Sequence, residues 1–461
     1  MSNIKINIED LFNLHTAVIY NPDEYKPATS VSTDTRTLKK NSVFVAFKGN
    51  NYDGHSFVNQ AVNKGACAII INKNRLKDFD NIDITIVAVK DTSLAYGELA
   101  NTWRKKLKAK VIGLTGSNGK TTTKEMLAKI FEQKYSVCKT LANNNNQIGV
   151  PLTIFSANYK NDFVILEMGS NHFGEISYSA KIAEPDFGII TNIGDSHLEF
   201  FKDRRGVAAE KIALFTETLN SGGKIFVNTD DKILKQKTKS IKNKITYGFN
   251  SSPDIKGRIL EFTEDGKPRI EIKYKSKKFV VEIALPGLSN AKNFLAASAV
   301  ALANGISVKN IRKAAKNLSG VDKRMNIINK ENFVLINDTY NANPESMKAA
   351  FEFIKTFPSS KKRITILGDM FELGDKSVEA HRSLGINLKK NRIDEVYTVG
   401  KYMKYLKEGL NGFNITSRHF NNRNSLHHFL LKKNFDNSVV LIKGSRGMKM
   451  EEFLKIFEGK N

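Results

Sequence analysis

The chain has 461 residues, of which 41% are apolar and 26% charged, with a formal net charge of +25. That length holds roughly three domains at ~150 residues each, on an ordinary globular composition. The excess charge is lysine scattered among asparagine and isoleucine, with no arginine stripe and no recognition motif, so nucleic acid is not expected as a partner.

Residues 1–88 read as a first α/β unit, with strands over 43–47 and 66–71 and a helix over 57–64 between them. Ser32-Thr33-Asp34-Thr35-Arg36 precedes the first strand, and a polar loop from Lys48 through Asp53 to His55 follows it. Ligands gather in such loops, although turn and cap chemistry explains Asp34 and Asp53 equally well. Cys67 and Cys138 are the only cysteines, too few for a disulfide framework or a cysteine metal site. The N-terminus has no signal-peptide core and no apolar run approaches the ~18 residues that span a bilayer, so a soluble cytoplasmic protein is expected. A helix over 91–108 leads into the next unit.

Residues 89–319 contain four nearly all-apolar strands, 110–114, 163–166, 187–190 and 224–227, the pattern of a parallel sheet covered on both faces. The first runs into Thr115-Gly116-Ser117-Asn118-Gly119-Lys120-Thr121-Thr122 and then into a helix marked by Met126, Leu127, Ile130 and Phe131. A glycine turn bares backbone N–H groups, and the helix start adds positive potential. Lys120 supplies a point charge and Thr121 a hydroxyl for Mg²⁺, which together make a phosphate cradle. The first glycine of the longer pattern G-x-x-x-x-G-K-[ST] falls at Leu114, so this is a shorter form.

The second strand ends in Glu167-Met168-Gly169-Ser170-Asn171-His172 and the third in Asn192-Ile193-Gly194-Asp195-Ser196-His197. Polar groups just past parallel strand ends mark the ligand crevice of an α/β sheet. Glu167 closes the strand expected beside the cradle strand, which makes Thr121 and Glu167 the natural Mg²⁺ pair. His197 reads either as a ligand for a second metal or as a structural histidine. The asparagine run 143–146 reads as a hydrogen-bonding loop or a plain surface loop. Residues 232–282 alternate lysine with short strand-like runs and suggest an exposed antiparallel extension. A glycine turn at 285–290 then opens an alanine-rich helix.

Residues 320–461 hold four further strands, 333–336, 364–367, 396–399 and 439–442, whose ends carry their own polar rim. There is no G-x-S-x-G elbow, no H-E-x-x-H and no internal repeat.

The segments 115–122, 145–151, 167–172, 192–197 and 338–344 together resemble the ATP-dependent Mur ligases of peptidoglycan synthesis, in the same order and over essentially the whole chain. Ser32 to Arg36, Phe44-Val45-Ala46 and Asp53-Gly54-His55 resemble the two later-acting members. The Asp-Asn-Pro-Arg motif of the third-amino-acid ligase is absent. Gly368 to Gly374 and Lys443 to Gly447 are similar instead to the member that adds a dipeptide.

The resemblance implies three α/β domains. These are a small N-terminal uridine-nucleotide-binding domain (1–88), a central P-loop parallel-sheet ATPase domain (89–319) and a C-terminal Rossmann-like domain (320–461). It implies a monomer that uses ATP and Mg²⁺ to join D-alanyl-D-alanine to UDP-N-acetylmuramoyl-tripeptide through an acyl phosphate. Carried over by position, Lys120 would hold the β/γ-phosphates, Thr121 and Glu167 one Mg²⁺, and His197 a second. Lys211 falls where the family has a lysine often carbamylated by CO₂, able to support that second metal; taken alone it is a helix-surface lysine. Asn290, Arg324 and Asp338 would face the adenine, ribose or phosphates. Asp34, Arg36, Lys48, Asp53 and His55 would face the uridine nucleotide, and Asn145, Asn146, Asn171 and His172 the muramyl-peptide. Ser289 and Lys323 depart from the family's usual histidine and glycine at those positions.

Overall fold

Apolar strand runs of three different lengths of chain close into three separate sheets in the computed structural model, which describes residues 4–49, 52–250, 252–412 and 414–458. Asn50 and Asn51 of the Lys48–His55 loop, and Met1 to Asn3 of the N-terminus, lie outside the described residues. The first sheet comprises β1 (Val18–Tyr20), β2 (Ser30–Ser32), β3 (Ser42–Val45), β4 (Ala66–Asn72) and β5 (Thr85–Val89), in the order β1-β5-β4-β3-β2. Only β1 runs antiparallel to its neighbour.

The central sheet has nine strands: β6 (Lys110–Thr115), β7 (Val137–Lys139), β8 (Phe163–Glu167), β9 (Phe187–Ile190), β10 (Lys224–Asn228), β11 (Lys244–Gly248), β12 (Ile255–Phe262), β13 (Pro268–Tyr274) and β14 (Lys277–Glu282). Their order is β14-β13-β12-β11-β10-β9-β6-β8-β7. The cradle strand β6 lies parallel between β8 and β9, with Leu114 opposite Glu167 and Thr115 opposite Ile190. The sheet thus delivers Glu167 and the loop after β9 to either side of the cradle.

The lysine-rich segment departs from its expected form. Lys232–Lys237 is helical, β11 joins the sheet in parallel, and only β12 to β14 are antiparallel. Nor is that extension exposed on both faces. Ile255, Ile270, Ile272, Phe279 and Val281 are buried against the alanine-rich helix Leu288–Ala303, so the lysines occupy the alternate, solvent face of a half-buried sheet.

The third sheet has six strands instead of four: β15 (Asn326–Asn329), β16 (Phe333–Asp338), β17 (Lys362–Gly368), β18 (Glu395–Val399), β19 (Thr416–Phe420) and β20 (Ser438–Lys443), ordered β15-β16-β20-β17-β18-β19. The two unexpected strands, β15 and β19, are its polar edges.

The helix Pro344–Ile354 docks this third layer on the central one. Near its end the buried Phe353 ring lies across Gly266 and Gly287, which have left-handed backbone at φ 73° and 92°. A Cβ added at either glycine would stand 3.2 or 3.1 Å from that ring.

Candidate active site

The cradle is built from close contacts that only glycine permits. At Gly116 (φ 150°) a Cβ would fall 1.9 Å from Thr191 Oγ1, and at Gly119 (φ 80°) 2.3 Å from Asn293 Oδ1. The buried strand end Thr115 leads into the turn, which the loop after β9 then pins. Ser117 N–H donates to Asn192 O at 3.0 Å, and Asn118 N–H to Asn192 Oδ1 at 3.0 Å. Ser117 Oγ accepts from Gly194 N–H at 2.8 Å. Ser117 and Asn118, expected to touch nucleotide, therefore also use their polar groups to shape the turn. The helix Lys120–Phe131 starts at Lys120, with Thr122 half-buried in its first turn. Lys120 Nζ donates to Gly116 O at 2.6 Å. Desolvation lowers its ammonium to about 8, against the opposing pull of Glu167.

Glu167 is 1% exposed. Its Oε1 accepts from Thr121 Oγ1 at 3.1 Å and from Asn145 Nδ2 at 2.8 Å. Its buried Oε2 has no hydrogen-bond partner among the described residues and faces Lys124 Nζ at 3.7 Å. A hydroxyl beside a carboxylate with a spare buried oxygen is a donor set that suits Mg²⁺, a hard cation that takes few protein ligands beside phosphates and water. Lys124 is itself fully buried and donates to Thr140 O at 2.7 Å. Sequence reading passed it over, although it lies one helical turn after Lys120.

Lys211 overturns its reading as a surface lysine. It is 1% exposed on the helix Arg204–Asn220. Burial first, and then the nearby Lys120 charge, brings its ammonium down to about 7. The two lysines thus share one site.

His197 heads the short helix Leu198–Phe201 in left-handed backbone, and its Nδ1 lies 2.5 Å from Glu372 Oε2 of the C-terminal layer. Two further residues of that layer meet the rim. Asn343 Nδ2 donates to Asn118 Oδ1 at 2.9 Å. Glu345 Oε1 accepts from Asp195 N–H at 2.9 Å and pairs with Arg204 at 2.5 Å.

The expected nucleoside contacts divide. Asn290 turns its amide inward to Pro286 O at 2.7 Å, and Asn293, three residues on, is the asparagine that meets the cradle. That i, i+3 spacing was the available signal. The Arg324 guanidinium lies 3.9 Å from the centre of the Tyr340 ring, and its charge reaches Lys120. Its buried Nε has no hydrogen-bond partner among the described residues. Asp338 is engaged within the protein, accepting from Met325 N–H at 3.2 Å and pairing with Lys443 at 2.5 Å.

In the first sheet, Asp34 and Arg36 pair with each other at 2.7 Å on the surface. A cleft of about 350 Å³ is lined by Lys48, Asp53, His55, Arg75, Lys90 and Thr92, among others. His55 is spent on the loop itself: Nδ1 lies 2.6 Å from Asp53 Oδ1 and Nε2 accepts from Asn72 N–H at 3.0 Å. Both ring nitrogens are therefore engaged within the protein, while the residue itself lines the cleft. Asn146 likewise caps a turn, its Oδ1 accepting from Ile148 and Gly149 N–H. Asn145 belongs to the Glu167 group. Asn171 and His172 lie on a loop whose N–H groups both donate to Glu175, and the His172 ring sits exposed, 4.6 Å from Phe200.

A P-loop cradle with the Thr121–Glu167 pair beside it, roofed by a second α/β layer, defines a protein that handles a nucleotide triphosphate. The chain belongs to the Mur ligase family: residues 27–104 match its catalytic domain, 114–301 its middle domain and 323–446 its glutamate ligase domain. Within the family it is similar to the UDP-N-acetylmuramoyl-tripeptide–D-alanyl-D-alanine ligase of Bacillus subtilis (strain 168), 34% identical with 98% of each chain covered. The enzyme of that name from Haemophilus influenzae is 34% identical over 94% of each chain. Among solved structures, MurF from Acinetobacter baumannii superposes with a TM-score of 0.89 at 30% identity, covering 99% of this chain and 100% of that one. MurF ligase from Thermotoga maritima in complex with ADP gives 0.82 at 28%, covering 93% and 97%.

Proposed function

We propose that the chain is the ATP-dependent ligase that joins D-alanyl-D-alanine to UDP-N-acetylmuramoyl-tripeptide in peptidoglycan precursor synthesis. The observation that carries this is the cradle itself, with Thr121 against a buried, half-partnered Glu167, on a chain that matches ligases of that name from end to end. Residues 1–88 would anchor the nucleotide sugar, 89–319 bind ATP and 320–461 close over both and exclude water from the intermediate. The protein acts as a cytoplasmic monomer; none of its described helices is long and apolar enough to cross a membrane.

A carboxylate does not condense with an amine at neutral pH because its oxide is a poor leaving group. Transfer of the γ-phosphoryl group to the tripeptide carboxylate forms one P–O bond and breaks another, leaving ADP. The dipeptide amine then attacks the acyl carbon, a C–N bond forms, and phosphate departs with the C–O electron pair. Lys120 and the cradle amides stabilise charge on the transferring group. Thr121 and Glu167 would hold one Mg²⁺, and His197 with a carbamylated Lys211 a second; the metal neutralises phosphate charge when bound. Arg324 faces the same phosphates, with Asn290 and Asp338 fixing the turns around the nucleoside. Asp34, Arg36, Lys48, Asp53 and His55 form or frame the uridine site, and Asn145, Asn146, Asn171 and His172 the muramyl-peptide site.

An ADP-release assay tests the reading. Release should require tripeptide precursor plus D-alanyl-D-alanine and be indifferent to DNA or RNA. Lys120→Ala should lose on the order of 10²–10³-fold in turnover. Stimulation by nucleic acid in place of the dipeptide, or a parental rate in Lys120→Ala, would overturn it.

A further inference from the structure

His197 and Glu372 reach one another from different layers of the molecule. His197 follows β9 in the central layer, and Glu372 follows β17 in the C-terminal layer. Each is a non-glycine residue in left-handed backbone, at φ 52° and φ 61°. Such strain persists only where the surroundings hold it, and it concentrates at working sites. The surroundings here are the pair itself. Glu372 O accepts from Glu199 N–H at 3.1 Å, its Oε2 lies 2.5 Å from His197 Nδ1, and a Cβ on the nearby Gly374 would stand 3.3 Å from Glu199 Cα. Backbone and side chain of one residue therefore grip the same three-residue stretch.

We propose that Glu372 is a positioning residue for His197, supplied by the C-terminal layer, so that the imidazole takes its working orientation only while that layer is docked. This rests on the reading of His197 as a site residue. Glu372 Oε2 lies 2.5 Å from Nδ1 but off the line of a formed hydrogen bond, so it is the carboxylate's charge that favours the proton on that nitrogen and leaves Nε2 with the free lone pair. That is the arrangement in which carboxylates orient metal-facing histidines elsewhere. The neighbouring inter-layer contacts, Asn343 with Asn118 and Glu345 with Arg204, hold the docked state by other means. Removing the Glu372 carboxylate should therefore leave docking and nucleotide binding in place and change the ring.

Full-length protein with ¹⁵N-labelled histidine tests this, the His197 signal being assigned from its loss in His197→Ala. The parent should show an Nδ1–H, Nε2-lone-pair signature. Glu372→Ala should move it toward the mixed tautomers of a free imidazole, and Glu372→Gln, which keeps an oxygen beside Nδ1 but loses the charge, should fall between the two. In turnover, Glu372→Ala should lose roughly 10–100-fold in kcat, the usual cost of removing such a partner. Its affinity for an ATP analogue with Mg²⁺, read by calorimetry, should stay within about twofold, because that binding is held by the cradle. Unchanged ring-nitrogen shifts in Glu372→Ala, or a loss confined to analogue affinity, would overturn the inference. Parental turnover in His197→Ala would instead overturn the site reading beneath it.

Discussion

At the scale of single residues, Lys211 shows how a packed interior creates chemistry. Its ordinary value of 10.5 falls to about 7 through burial and the nearby Lys120 charge. The neutral amine that reacts with CO₂ is then abundant at physiological pH. With ¹³C-bicarbonate, a carbamate signal should grow as pH rises through about 7 and be missing in Lys211→Met. The same shift has a signed effect on stability. Below about 7 both folded and unfolded chains hold the proton, and the burial penalty is full. Between about 7 and 10.5 the unfolded chain binds more protons, so stability rises with pH. The stabilisation gained by Lys211→Met should accordingly shrink from about pH 7 to about pH 10 in thermal unfolding, and growth over that interval would contradict the assignment.

At the scale of elements, the helix Pro344–Ile354 is a two-ended dock. Asn343 caps its start and touches Asn118, and Phe353 near its end fills the saddle made by Gly266 and Gly287. The β12–β13 hairpin therefore has a task that its lysine-rich sequence did not announce. Phe353→Ala should cost about 3–5 kcal/mol in denaturant unfolding, with much of it recovered by Phe353→Leu. A loss under about 1 kcal/mol would mean the ring is not a dock.

Much of this was legible beforehand. The central strands are buried on both faces and read as apolar runs, so β3, β4, β6, β8, β9, β10 and the inner strands of the third sheet were found within a residue or two. The edges β1, β15 and β19 are short or polar and give no such signal. β5, wholly buried, is a five-residue run that periodicity alone does not distinguish from helix. Within the site, motif spacing marked the cradle and Glu167. Partnerships set by tertiary packing are harder to read: helical spacing only hints at Lys124 with Glu167 and Asn293 with Gly119, and Glu372 with His197 leaves no local trace. Side chains such as His55 and Asn146 also hold their own loops, a second role that motif spacing does not reveal.

At the scale of the whole molecule, the layers meet through ion pairs and amides as well as apolar contacts. Arg204 bridges Asp195 and Glu345, partly exposed, and such pairs weaken with salt. X-ray scattering should show the radius of gyration increase from about 0.05 to about 0.5 M salt, as the Debye length shortens, and fall again with ATP analogue plus tripeptide substrate. Identical profiles in all three conditions would argue for one fixed arrangement.

The helix Arg204–Asn220 has a mechanical consequence. Its 17 residues make a rod of roughly 25 Å. Its first residue is held by the C-terminal layer, and its middle carries Lys211 beside Glu210, which accepts from Gly174 and Ile176 N–H at the end of the loop that carries Asn171 and His172. A lever gripped at one end moves everything fixed along it, so a tilt imposed at Arg204 is felt together at Lys211 and at the loop of Asn171 and His172. A displacement of the C-terminal layer would thus reach the buried Lys211 through a single stiff part.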